Sequence, residues 1–183
     1  FAKAVVATGG TASVPPIPGL KEAPYLTNAN IFNLTERPAR MGVIGAGPIG
    51  MELAQAFQRL GSQVTVLNRD AKILPREDPD AAKVVENALL KDGVTFTYNV
   101  VFKGVESKGA KPPVCVTVED PDGERTLEFD ALLVATGRKP NVTGLGLEEA
   151  GIEYDARTGV KVSDRMQTTN PNVYAVGDVA SKY

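Results

Sequence analysis

Gly45-Ala46-Gly47-Pro48-Ile49-Gly50 is the run with the clearest chemical use in this sequence. Glycines at that spacing let a backbone turn sharply, approach a ligand closely and open a helix whose first N–H groups can receive a pyrophosphate. The run follows the apolar stretch Met41 to Ile44 and precedes Ile49, Leu53, Phe57 and Leu60, the spacing of one helix face, with Gly61 available as a stop. Val64-Thr65-Val66-Leu67 then reads as a second parallel strand, completing a strand-helix-strand unit of about thirty residues. Gly45 is expected to make the turn, Gly47 to admit the phosphates and Gly50 to let helix and strand pack closely. With Pro48 and Ile49 these are the candidate cofactor contacts.

The residue ending the second strand distinguishes the two nicotinamide dinucleotides, because an acid there accepts hydrogen bonds from the ribose hydroxyls of NAD. This sequence has Asn68 and Arg69 instead, with Lys72 and Arg76 close behind. A carboxylate would repel a 2′-phosphate, whereas an arginine can form a charge-assisted forked contact with it. NADP is therefore the expected ligand and NAD the alternative. Glu52 falls two residues after Gly50, where a carboxylate near a helix start gains a little from the helix dipole.

Other chemistries are excluded or unsupported. Histidine is absent, which removes the commonest general base and the commonest zinc ligand, and no metal site is expected. The one cysteine, Cys115, lies in Val114-Cys115-Val116-Thr117-Val118 and reads as a small strand residue, since it can form neither an internal disulfide nor a CxxC pair. A net charge of -2 gives no basic face for nucleic acid. No apolar run is long enough to cross a bilayer, and no signal pattern surrounds Phe1. A cytoplasmic location is the expectation, with an organelle as the alternative.

The elements that must position the turn carry a repeat. Phe1-Ala2-Lys3-Ala4-Val5-Val6-Ala7-Thr8-Gly9 and Phe129-Asp130-Ala131-Leu132-Leu133-Val134-Ala135-Thr136-Gly137 both run through branched apolar residues to Thr-Gly, as a buried strand does beside a ligand. A third strand end, Val176-Gly177-Asp178, puts a carboxylate behind its glycine, able to accept hydrogen bonds from ribitol or ribose hydroxyls. A strand starting at Ala4 needs neighbours, so the chain is expected to be part of a longer one. Three prolines in Ser13-Val14-Pro15-Pro16-Ile17-Pro18-Gly19 suggest an extended linker, and the inserted domain is expected to begin near Leu34. Asp78-Pro79 caps a second helix carrying Val84, Val85, Ala88 and Leu89, followed by a strand from Val94 to Tyr98. Val114 to Val118, a turn at Asp120-Pro121-Asp122-Gly123 and Arg125 to Phe129 form a hairpin expected to cover one sheet face.

Taken together, Ala7-Thr8-Gly9, the GxGxxGxE run from Gly45 to Glu52, Ala135-Thr136-Gly137-Arg138-Lys139-Pro140-Asn141 and Val176-Gly177-Asp178 resemble the pyridine nucleotide-disulfide oxidoreductases. Glu52-Leu53-Ala54-Gln55-Ala56-Phe57 and Leu74-Pro75-Arg76-Glu77-Asp78-Pro79 are most similar to the mercuric-reductase-like branch of the group that includes glutathione reductase and lipoamide dehydrogenase. The resemblance implies an α/β, Rossmann-like three-layer fold, with helices on one face of a parallel sheet and a β-hairpin or meander on the other. Residues 1–33 would belong to an FAD-binding domain, 34–135 to an inserted NAD(P)-binding domain and 136–183 to the return of the first. Gly45, Gly47 and Gly50 would bind the nicotinamide dinucleotide, Glu52 would position its nicotinamide end, and Gly137 and Arg138 would lie beside it. Thr8, Gly9, Gly177 and Asp178 would face FAD. Where some relatives gate the nicotinamide with a tyrosine, this chain has Pro48.

The resemblance further implies a parent homodimer in which hydride passes from NADPH to FAD and then to a redox disulfide outside this chain, with no catalytic residue of its own here. The alternatives are a related flavoprotein without the dithiol, such as an NADH oxidase or ferredoxin reductase, and a stand-alone nucleotide-binding module with termini at Phe1 and Tyr183. A methyltransferase would share the glycine turn but not the repeated strand ends.

Overall fold

The computed structural model describes residues 2–107 and 113–181. Phe1 and Tyr183, named above as the ends of a stand-alone module, lie outside them. In chain order the elements are β1 (Ala4–Val6), β2 (Gly10–Ala12), β3 (Tyr25–Leu26), β4 (Arg40–Ile44), α1 (Pro48–Arg59), β5 (Gln63–Leu67), α2 (Pro79–Lys91) and β6 (Thr95–Thr97). There follow β7 (Val101–Ser107), β8 (Val114–Asp120), β9 (Gly123–Phe129), β10 (Ala131–Val134), β11 (Arg138–Pro140), β12 (Tyr154–Asp155), β13 (Gly159–Val160) and β14 (Val173–Ala175).

The chain divides into two compact units, one of residues 14–137 and one that joins residues 1–13 to 138–183. In the first, a five-stranded sheet runs in the order β3-β10-β4-β5-β6. Its pairings are all parallel. Parallel strands are buried on both faces, which is why Arg40–Ile44 and Ala131–Val134 are nearly continuous in apolar residues rather than alternating. One face packs Met41, Val43, Val64, Val66 and Leu133 against Met51 and Ala54 of α1 and Leu89 of α2. The other packs Ile44, Leu67, Leu132 and Val134 against Val105, Val114, Val116, Val118 and Phe129 of the antiparallel sheet β7-β8-β9. This is the three-layer α/β arrangement expected from the sequence. Gly42 belongs to it for reasons of space: a Cβ there would come within 2.6 Å of the Phe129 ring.

Several local expectations are corrected. The covering layer is the meander, one of the two forms expected; only its third strand, β7, was unforeseen, because Val101–Ser107 alternates weakly between faces and gives little strand signal. The buried face of α1 is Gly50, Met51 and Ala54, with Leu53 and Phe57 partly covered, whereas Leu60 lies beyond the last helical turn and is 68% exposed. In α2 the buried residues are Ala82 and Leu89, and Val84 faces solvent at 70% exposure. The strand expected over Val94 to Tyr98 is confined to Thr95–Thr97. The unit also starts at Val14 and not near Leu34. Ile17, Leu20 and Ala23 are buried in the core beneath the meander, Val105 N–H donates to Pro18 O at 2.8 Å, and β3 pairs with β10. The prolines that make this segment extended also let it lie along the core, so composition alone reads it as a linker.

In the second unit β1 pairs in parallel with β14, and β2 pairs antiparallel with β11. Val142, Leu147, Ile152, Val160, Ala175, Val179 and Ala180 form its core. The two Thr-Gly strands, alike in sequence, differ here. Every residue of β10 is buried, whereas β1 is largely exposed, with Val5 at 62%, because β14 is its one partner among the described residues.

Candidate functional site

The glycine turn sits between β4 and α1, and its shape follows from what each glycine excludes. Gly45 has φ +103°, where L side chains are strained, and a Cβ there would lie 2.7 Å from Ala135 O. A Cβ on Gly50 would meet Gly45 O at 2.4 Å. Both glycines close the turn against the strand ends. Gly47 is different: a Cβ on it would touch nothing within 4 Å, so the backbone there faces open space into which a ligand can come.

The two helices of this unit begin in contrasting ways. In α2, Asp78 accepts from Asp80 N–H and Ala81 N–H, satisfying donors that a helix start leaves without intrahelical partners. In α1 the cap residue is Gly47, which has no side chain to do this, and Pro48 takes the first helical position. The uncapped donors and the positive end of the helix dipole lie beside the open space at Gly47, a cradle that fits a pyrophosphate. Pro48 is exposed and Ile49 half-buried at its rim.

A loop carrying cations is docked onto this turn. After β5, Asn68 is 6% exposed and donates from Nδ2 to Asp70 O at 3.0 Å and to Lys72 O at 2.9 Å. Its amide is thus committed to the loop, and of the sequence candidates it is an organiser of backbone rather than an exposed contact. Ile73 is buried, and Leu74, at φ +47°, donates its N–H to Ala46 O at 2.8 Å. Arg69, Lys72 and Arg76 are exposed, and their side chains have no hydrogen-bond or ion-pair partner among the described residues. A fixed backbone therefore presents unpaired cations beside the turn, with Asp70 and Glu77 as nearby acids in sequence.

Glu52 is exposed and unpaired among the described residues, but it is the fifth residue of a helix that starts at Pro48. The expected support from the helix dipole falls off within the first turn, so the dipole does not account for this carboxylate.

The second unit brings together the other candidates. Gly9 at φ +68° and Gly177 at φ +73° both leave open space where a Cβ would stand. Asp178 lies in a short 3-10 turn and pairs with Arg138 Nε at 2.6 Å, and Arg138 Nη2 also donates to Gly10 O. Arg138, expected beside the nicotinamide, is thus paired with the carboxylate expected to face FAD. Gly137, at φ +130°, ends the other unit. Thr8 Oγ1 donates to Asn141 O at 2.8 Å, Asn141 Nδ2 donates to Thr8 O at 2.9 Å, Asn141 N–H donates to Gly9 O at 2.9 Å, and Thr11 Oγ1 donates to Asn141 Oδ1 at 2.7 Å. Asn141 thus fixes the turn at Thr8-Gly9 and leaves the glycine accessible, an arrangement that fits close approach of a cofactor to backbone.

Sequence reasoning missed Asn141 and Leu74 as positioning residues. For Asn141 the Pro-Asn pair was the available signal. Leu74 acts through its main chain, which any residue but proline offers, so its type carried none.

A parallel strand, a glycine turn, a helix without a side-chain cap and a docked loop of exposed cations thus meet in one α/β unit. The chain belongs to the pyridine nucleotide-disulphide oxidoreductase family, whose profile matches residues 1–183. A mercuric reductase of Lysinibacillus sphaericus is 42% identical over 176 residues, which make up 96% of this chain and 32% of that protein. A HOCl-induced flavoprotein disulfide reductase from Escherichia coli superposes with a TM-score of 0.84 at 35% identity, covering 99% of this chain and 40% of its own. An engineered water-forming NADPH oxidase bound to NADPH superposes with a TM-score of 0.78 at 25% identity, covering 98% and 40%. The chain therefore spans about a third of the length of its curated relative.

Proposed function

We propose that residues 14–137 bind NADPH, with the pyrophosphate on the N-terminus of α1 and the 2′-phosphate on the loop after β5. The observation that carries this reading is the Leu74 to Ala46 hydrogen bond, which holds the unpaired Arg69, Lys72 and Arg76 beside a helix start with no cap of its own. Arg69 would contact the 2′-phosphate, with Arg76 and Lys72 in support, and a charge-assisted contact of this kind is worth about 1.5–3 kcal/mol, or roughly ten- to hundredfold in affinity. Glu52, exposed one turn further along α1, would orient the nicotinamide amide. The Gly9 and Gly177 turns, with Thr8, Arg138 and Asp178, would hold part of FAD.

Bound there, NADPH would supply a hydride for FAD in the parent protein, with the electron pair passing on to a redox disulfide outside this chain. On this reading the chain's residues bind and orient the dinucleotide, and no catalytic residue is assigned among them. The parent would be a homodimer. Calorimetric titration with NADPH and with NADH tests the reading. A preference for NADPH of about tenfold or more is expected; a preference for NADH would return Arg69 to the solvated surface, and binding of neither would overturn the assignment of the turn.

A second reading is favoured by the likeness to the NADPH oxidase: the same nicotinamide and flavin seats serving an enzyme without a dithiol. Alkylation and mass analysis of the reduced full-length protein separates the two. A vicinal redox cysteine pair supports the first reading, and its absence the second.

A further inference from the structure

In the seat proposed for NADPH, the cations are exposed on flexible side chains, yet the backbone that carries them is held closely. Asn68 supplies much of that hold. Its backbone is locked on one side, N–H to Thr97 O at 2.9 Å and O from Val100 N–H at 3.0 Å. Its buried side chain then spans the loop, one NH2 group donating to the carbonyls of Asp70 and Lys72. Arg69 lies just before these acceptors and Ala71 between them, and Lys72 is itself one of the two. An aspartate would have nearly the same shape but no hydrogen to donate, and its charge would face two carbonyl oxygens and any approaching phosphate. An aliphatic residue would leave the arch without its internal ties.

We infer that Asn68 is a positioning residue for discrimination of the 2′-phosphate: through Asp70 O and Lys72 O it holds the arch that presents Arg69 and Lys72. The inference rests on the reading of this loop as the phosphate seat. Asn68 itself makes no contact with the phosphate, because its donor group points into the arch. Its contribution is preorganisation, since a loop already ordered loses less freedom when the dinucleotide arrives.

The test is a set of NADP+ and NAD+ affinities, measured by calorimetry on the full-length protein for the unaltered sequence, Arg69→Ala, Asn68→Leu and Asn68→Gln. Oxidised cofactors avoid turnover. Leucine keeps the branching at Cγ, adds no charge and removes both ties; glutamine restores an NH2 donor. Arg69→Ala is expected to lower the NADP+ to NAD+ affinity ratio by about tenfold or more, and Asn68→Leu by about threefold or more with NAD+ affinity held within about twofold. Asn68→Gln is expected to recover the larger part of the ratio. A fall for Arg69→Ala with no fall for Asn68→Leu overturns the role of Asn68 and leaves the phosphate seat standing. Equal loss of both cofactors in Asn68→Leu makes Asn68 a general loop support and also overturns it. An unchanged ratio in Arg69→Ala removes the phosphate seat, and the inference with it.

Discussion

Leu74 donates its backbone N–H to the carbonyl of Ala46 at 2.8 Å, tying the loop after the second strand of the glycine motif to the motif itself. In the reading proposed for this unit, the bond couples the seat of the pyrophosphate to the seat of the 2′-phosphate. Leu74→Pro removes the donor and forces φ away from its observed +47°. The expected outcome is at least a tenfold loss of NADPH affinity with a smaller loss for NADH. Titration of both cofactors checks it, and parallel losses would show that the tie serves the whole site equally.

The three glycines of the turn should separate into two behaviours. Alanine at Gly45 or Gly50 places a Cβ at 2.7 or 2.4 Å from a backbone oxygen and is expected to cost about 3 kcal/mol or more of stability. Alanine at Gly47 meets nothing, and its backbone φ of -79° suits any residue, so the loss is about 1 kcal/mol from the poorer cap. Dinucleotide binding is nevertheless expected to be lost, because the methyl group occupies the open space. Chemical denaturation together with a binding titration distinguishes a Gly47 that faces a ligand from one that is merely tolerated.

Much of this arrangement was legible in the sequence because it depends on residue type. A GxGxxG run between an apolar strand and an amphipathic helix has few physical uses, and the fully apolar β10 could only be a buried parallel strand. What was not legible depends on neighbours distant in sequence. Val5 and Leu132 occur in similar strings, but only β10 has partners on both sides among the described residues. Ser13 to Gly19 reads as a linker because its prolines break regular structure, while the burial of Ile17 and of Leu20 and Ala23 just after it is set by contacts such as Val105 to Pro18. Asn68 is a candidate cofactor contact by its place at the strand end; its 6% exposure reflects carbonyls two and four residues on, which no spacing rule reports.

Asn141 should govern the Thr8-Gly9 turn. Asn141→Ala removes a donor to Thr8 O and an acceptor for Thr11 Oγ1 while leaving its own main-chain bonds in place. If that turn faces FAD, the full-length variant is expected to retain less flavin on purification, by about threefold or more at a fixed protein concentration. The absorbance ratio of flavin to protein measures this directly. Unchanged flavin content with a lowered unfolding midpoint would restrict Asn141 to stability.

The pair of Arg40 and Asp130 predicts a pH dependence. Arg40 donates from Nη2 to Asp130 Oδ1 at 2.8 Å, and its backbone N–H donates to Asp130 Oδ2 at 2.8 Å, joining the start of β4 to the start of β10. The hydrogen bonds from the Arg40 side chain come first, then those from its backbone, in holding the Asp130 carboxyl below its ordinary value against the opposing effect of burial. A carboxyl depressed in the folded state stabilises it fully above the unfolded-state value and loses that contribution as pH falls through the folded-state value. The pair is partly exposed, 41% for Arg40 and 31% for Asp130, so solvent screening keeps the effect small. Asp130→Asn is therefore expected to lower Tm by only about 1–3 °C near pH 7. That difference should stay constant upward to pH 8 and begin to shrink below about pH 4, where the unfolded chain takes up the proton and the folded protein follows at lower pH. Thermal melts of both proteins between pH 3 and pH 8 decide it: a difference that persists undiminished at pH 3 would assign the effect to packing at Asp130 and not to its charge.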